Sequence, residues 1–187
     1  MNAIEDTRHW VEAAVIGLNL CPFAKAVHGK GRIRWVESAA SEPSALLAEL
    51  VQELQHLAAA DPQALETTLL VHPLVLGDFL DFNDFLDIAD AALAGLGLEG
   101  TLQIASFHPQ YRFAGTPAED IANATNRSPY PMLHLLREAS IERAVAAFPE
   151  PEAIYENNMR TLRALGPRGW AELQARCLRT AASGAAD

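Results

Sequence analysis

The sequence predicts an α/β fold: a small, mostly parallel sheet of three or four strands, with flanking helices and a C-terminal helical cap. Three observations carry that expectation. Two short apolar runs stop at His72-Pro73 and His108-Pro109, where each proline removes a ladder donor. Stretches of helical periodicity lie between the runs. The resulting order of strand, helix, strand, helix, strand calls for right-handed crossovers, and these leave successive strands parallel. At 187 residues one domain is expected over 1–187: 1–115 as α/β core, 116–182 as the helical cap packed on it, and 183–187 as a frayed tail.

In chain order, Thr7 can cap a first helix with Trp10, Ala14 and Leu18 on one face, ending near Pro22. Gly29-Lys30-Gly31 reads as a turn and Ile33 to Val36 as a first strand. Ser41 can cap a second helix whose apolar positions are Leu47, Leu50, Val51, Leu54 and Ala58, broken by Asp61-Pro62. Thr67 to Val71 has the continuous apolar character of a strand buried on both faces. Asp78 can cap a third helix with Phe82, Phe85, Leu86, Ala89 and Leu93 inward, and Thr101 to Phe107 follows as a third strand. Beyond Gly115, Thr116-Pro117 opens a short helix. Helical patterns then continue to about Thr180, divided at Gly166-Pro167.

Charge narrows the partners. With 24 acidic and 14 basic side chains the net charge is -10, which offers no basic surface for nucleic acid or an anionic membrane. The first ten residues lack the apolar segment of a secretory signal, and no apolar run approaches spanning length. Two cysteines, Cys21 and Cys177, fit a reducing cytoplasmic setting with free thiols. Neither a Walker-A loop nor a G-x-S-x-G elbow is present, which removes support for nucleotide hydrolysis and the common serine hydrolases.

The candidate chemistry is positional. In a parallel sheet the carboxyl ends of the strands share one edge, where open α/β folds bind ligands, and Glu37, His72 and His108 fall there. His108 is the candidate general acid or base, because an imidazole titrates near neutral pH. Cys21, beside Pro22 at a helix boundary, is a candidate nucleophile if Lys25, His28 or His108 lies close enough to activate it. Arg127, Asn126 and Ser128, with Tyr111, form a candidate substrate-binding loop for a small anionic molecule, the expected helix after Ser128 adding amide donors. Cys21, His72 and His108 are also candidate ligands for a divalent metal or, through the Cys-Pro step, haem, though none forms a compact ligand motif. Asp81, Asp84, Asp87 and Asp90 recur every three residues, so they rotate around a helix and read as a solvated face.

The blocks Gly17-Leu18-Asn19-Leu20-Cys21-Pro22-Phe23-Ala24, Gln103 to Pro109 and Thr125 to Glu138 resemble a bacterial domain-of-unknown-function family, number 1415. The resemblance extends over nearly the whole chain. It implies a bacterial cytoplasmic protein of one domain, and brings no reaction with it. The leading functional expectation is a small-molecule enzyme with its pocket at the strand ends. A metal- or haem-binding protein and a non-catalytic interaction module, docking through an apolar patch on 154–165 or 169–178, are the alternatives.

Overall fold

The computed structural model describes residues 2–147 and 152–178; the expected frayed tail, 183–187, lies outside them. Four strands form one sheet: β1 (Ile33–Glu37), β2 (Thr67–Val71), β3 (Leu102–Phe107) and β4 (Met132–Arg137), in spatial order β1-β2-β4-β3. β1 and β2 are parallel, while β4 runs antiparallel to both neighbours. The sheet is therefore mixed, not mostly parallel. The stretch 116–182, expected as a helical cap, supplies a strand between two others, β4.

That correction has a local cause. Met132-Leu133-His134-Leu135-Leu136-Arg137 contains no β-branched residue and is rich in helix-favouring leucine, so its intrinsic preference points the wrong way. A strand covered on both faces also loses the alternation that would reveal it. One inference survives the change. Because β4 opposes both β2 and β3, the strands β1, β2 and β3 still run the same way, and their carboxyl ends share an edge with the amino end of β4.

Helices cover both faces of the sheet. On one side α3 (Pro43–Ala59) and α4 (Phe79–Gly95) pack Leu46, Leu50, Leu54, Leu57, Phe82, Phe85 and Ala89 on Leu70, Leu133 and Leu135. Each fully buried leucine contributes on the order of 2 kcal/mol relative to exposure. On the other side lie α1 (Ala3–Trp10), continued by one π-helical stretch (Val11–Ile16), and α6 (Glu152–Cys177). Their Trp10, Ala14, Leu162, Trp170 and Leu173 pack on Leu69, Val71 and Met132. Alternate strand residues thus feed opposite cores, as a two-residue period requires. Of the short helices, α2 (Ala24–Gly29) meets the π-helical stretch and α5 (Glu138–Ala146) meets β4.

Several boundaries move. Asn2, not Thr7, caps α1, its side chain accepting from the Glu5 N–H; Thr7 sits inside the helix and donates to the Ala3 carbonyl at 2.6 Å. Glu42 precedes Pro43 at the start of α3, so Ser41 is not its cap, and the fully buried stripe is Leu46, Leu50, Leu54 and Leu57, leaving Leu47, Val51 and Ala58 partly buried. The helix expected at Thr116 starts at Ile121 as a 3-10 turn (Ile121–Asn126) capped by Asp120. Gly166, at φ 69°, kinks α6 before Pro167 where the sequence divides two helices. Gly95, Gly97 and Gly100 have G-x-G-x-x-G spacing, but they lead from helix into strand, the reverse of a dinucleotide-binding turn.

Asp78 does cap α4, its Oδ1 accepting from the Leu80 N–H at 2.8 Å and the Asp81 N–H at 3.2 Å. Asp78→Ala should cost about 1 kcal/mol in a urea titration, the usual worth of an N-cap. No loss would mean that water replaces the carboxylate at no cost.

Candidate functional site

At the shared edge the two His-Pro steps converge on α4. His72 is 0% exposed, stacks on Phe82 at 5.7 Å between ring centroids, and donates through Nδ1 to the Val75 carbonyl at 3.0 Å. Its Nε2 has no hydrogen-bond partner among the described residues. Burial pushes its pKa down to about 4. His108, also 0% exposed, packs on the other ring contacts of α4, Phe82 at 5.2 Å and Phe79 at 5.5 Å. The Gln110 N–H donates to its Nδ1 at 3.0 Å, which places the proton on Nε2, directed at the Leu76 carbonyl at 3.3 Å. Burial lowers the pKa of His108 as well. Leu76 occupies the left-handed region at φ 58°, a conformation costing a non-glycine residue about 1 kcal/mol. The two imidazoles hold that strained loop in place, and both nitrogens of His108 are occupied in doing so.

The candidate anion loop is tied to the same edge. The His108 N–H donates to the Asn126 carbonyl, and Arg127 Nε donates to the Tyr111 carbonyl at 3.1 Å, so the segments carrying His108 and Arg127 are neighbours. Arg127 Nη2 donates to the Ala118 carbonyl, Asn126 to the Ser106 carbonyl, and Ser128 to the Tyr130 carbonyl. Burial lowers the pKa of Arg127, with Glu119 opposing. The Tyr111 ring lies against Phe79 and Phe113. Ser128 leads into β4 and not into a helix, so the expected helix-terminal amides are missing from this loop.

Cys21 approaches from the opposite layer. It is a partly buried free thiol in a turn after the π-helical stretch; the preceding Leu20 packs in the α1–α6 core and accepts from Asn158 Nδ2 at 2.8 Å. His28, a candidate activator, pairs with Glu12 at 3.3 Å. Among the described residues no group of three or more His, Cys, Asp and Glu side chains can hold a metal, so Cys21, His72 and His108 do not assemble a site. On α6, Leu162 is fully buried and Leu165 packs against the core, which removes most of the apolar docking patch.

On the α1 side of the edge stands a group that residue type and spacing did not single out. Asp6 is 1% exposed, and its Oδ2 accepts from the Tyr130 hydroxyl at 2.7 Å, while its Oδ1 has no partner among the described residues. No cation pairs with it among the described residues. The indole N–H groups of Trp10, one turn further along α1, and Trp170 on the facing α6 are also buried without acceptors among the described residues. Burial, then the bond to Asp6, then the charges of Asp6 and Glu37, push the Tyr130 pKa far above the usual phenol value. Tyr130 is therefore a donor across the neutral range, not a base. A signal was available: Ala3, Asp6, Trp10 and Ala14 share one helical stripe, and a carboxylate within a buried stripe is uncommon.

Fold and edge together define an α/β protein of three layers, a mixed four-stranded sheet between helical faces, with His72, His108 and the Asp6–Tyr130 pair where β1, β2 and β3 end. The family model described as a protein of unknown function (DUF1415) matches residues 2–172, and the chain belongs to that family. No curated protein and no solved structure matches it. No helix among the described residues is long and apolar enough to cross a membrane.

Proposed function

We propose that this chain is a small-molecule enzyme whose ligand enters at the carboxyl edge on the α1 side, with Asp6 as its acid–base group and Tyr130 as a fixed donor. One observation carries the reading: a buried carboxylate has one oxygen orphaned and no cationic partner among the described residues. Such an arrangement costs stability, and unsatisfied buried polar groups concentrate at functional sites. The unpaired atoms state what the ligand must offer. A donor meets Asp6 Oδ1, and an acceptor meets an indole N–H of Trp10 or Trp170. His108 and Arg127 then act as scaffold for the loops around the entrance.

The reading has a test that needs no substrate. Asp6→Asn keeps an acceptor for Tyr130 and removes the buried charge, so it should raise stability by about 1 kcal/mol in a urea titration, as functional residues held at a cost do. A small polar ligand that raises the Tm of the wild-type chain should no longer do so in this variant. If Asp6→Asn instead destabilises the fold, the carboxylate is a structural element and the proposal is lost.

A further inference from the structure

We propose that the ligand of the Asp6 site is a small primary ammonium ion carrying a hydroxyl close to its nitrogen, an amino alcohol; this rests on reading Asp6 as the ligand-binding group. The site is a buried anion without a counter-ion. Asp6 is buried, and its Oδ1 has no partner among the described residues. Arg8, two residues along α1, is directed elsewhere, its guanidinium lying 4.5 Å from the centre of the Trp35 ring. An unpaired charge in a buried place is costly, and a cation that brings N–H donors of its own offsets the cost.

The surroundings choose among cations. Trp10, Trp170 and Tyr130 belong to the cluster that packs α1 and α6 on the sheet, and Phe107 meets Trp10 edge-on at 5.6 Å. Aromatic faces suit an organic cation. A divalent metal needs several ligands, and no group of three or more His, Cys, Asp and Glu side chains can hold one among the described residues. A guanidinium binds a carboxylate best through both oxygens, and Tyr130 already occupies Oδ2. A quaternary ammonium would leave Oδ1 without a donor, so the nitrogen must carry hydrogen.

The indoles add a second demand. Trp10 Nε1 and Trp170 Nε1 are buried without acceptors among the described residues. Trp10 lies four residues beyond Asp6 in the sequence, about 6 Å of helical rise. One small molecule with an acceptor two or three bonds from its ammonium nitrogen therefore serves the carboxylate and an indole together. The approach is negative as well. Glu37 is exposed at the carboxyl end of β1, and its charge acts on Tyr130 together with that of Asp6. On a chain of net charge -10, this edge draws a cation and repels an anion.

The experiment uses the whole chain near neutral pH and reads Tm against rising ethanolammonium chloride. Ethylammonium chloride, tetramethylammonium chloride, ethylene glycol and sodium chloride run in parallel, the salts at matched ionic strength. Ethanolammonium should stabilise saturably, and ethylammonium should need a concentration roughly tenfold higher, for want of the acceptor. Tetramethylammonium and ethylene glycol should do no more than sodium chloride. Trp10→Phe keeps a ring and removes the N–H, so it should bring the two amines to the same half-saturation. Asp6→Asn should abolish both responses. If neither amine exceeds sodium chloride while Asp6→Asn still raises stability, the ammonium class is lost and the enzyme reading stands. If Asp6→Asn destabilises the fold, both are lost together. Ethylene glycol or tetramethylammonium acting as well as ethanolammonium, or amine responses that survive Asp6→Asn, also overturn the proposal.

Discussion

Acidification from pH 7 to pH 5 should cost the fold about 2 kcal/mol through His72 alone, since its pKa falls to about 4 in the folded chain from an ordinary 6.5. The unfolded chain binds the proton over this interval and the folded one does not. The neutral imidazole's contribution is complete above pH 6.5 and drains away as the pH falls toward 4. His134 works in the same direction. Thr67 Oγ1 donates to the Leu135 carbonyl, so His134 Nε2 donates to Thr67 at 2.8 Å, and burial holds its pKa near 4. Because His134 is only partly buried by accessible surface, solvent screening reduces its share, to less than the ~2 kcal/mol of a fully buried imidazole. His108, also lowered by burial, adds to the trend. Relaxing the repulsion of a chain at -10 acts oppositely, but surface charges are screened beyond about 8 Å at physiological salt. The buried imidazoles win. Urea titrations at pH 7, 6 and 5 measure the slope, and His72→Gln should flatten it. A stability curve level from pH 7 to 5 would show that these rings are not buried neutral.

The parts of the fold legible in the sequence are those where local preference and tertiary demand agree. β2 is buried throughout and reads as such, and α4 begins at Asp78 and turns Phe82, Phe85 and Ala89 inward as its spacing requires. The His-Pro steps mark strand ends because proline terminates a ladder at any depth. β4 was illegible because leucine, methionine and arginine favour helix, and only the vacancy between β2 and β3 makes this segment extend. Missing it also misplaced the helix amides expected beside Arg127. The candidate site was legible as a place and not as a set of residues. The edge could be located from strand direction, whereas Asp6 reaches it only through the packing of α1 against α6, a contact between the two ends of the chain. Asp6 looks like an ordinary first-turn acid until Trp10 and Ala14 are seen buried on the same side. Histidines and a cysteine drew attention by residue type, but residue type does not reveal that Gln110 and Leu76 already occupy both nitrogens of His108.

Arg137→Met should destabilise the chain by about 3 kcal/mol, the cost of leaving charged-donor partners unsatisfied in a buried place. The side chain leaves the end of β4 and passes beneath α3, where Nη2 donates to the Leu57 carbonyl at 2.7 Å and the Ala60 carbonyl at 2.8 Å, and Nε to the Leu65 carbonyl at 3.2 Å. Two of these acceptors lie at the C-terminal end of α3, where the Leu57 carbonyl otherwise takes only a long bond of 3.3 Å from the Ala60 N–H, and they present the negative end of the helix dipole. One guanidinium therefore joins the central strand to the helix that covers it and to the segment leading into β2. Methionine keeps most of the stem, so packing changes little and the measured loss isolates the hydrogen bonds. Arg137→Lys should fall between the two, because a single ammonium cannot span three carbonyls in the plane that a guanidinium fills. A loss under about 1 kcal/mol for the methionine variant would mean that water reaches the α3 terminus freely. The anchoring of β4 to its helical cover would then rest on Leu133 and Leu135 in the core and not on the charge at its end.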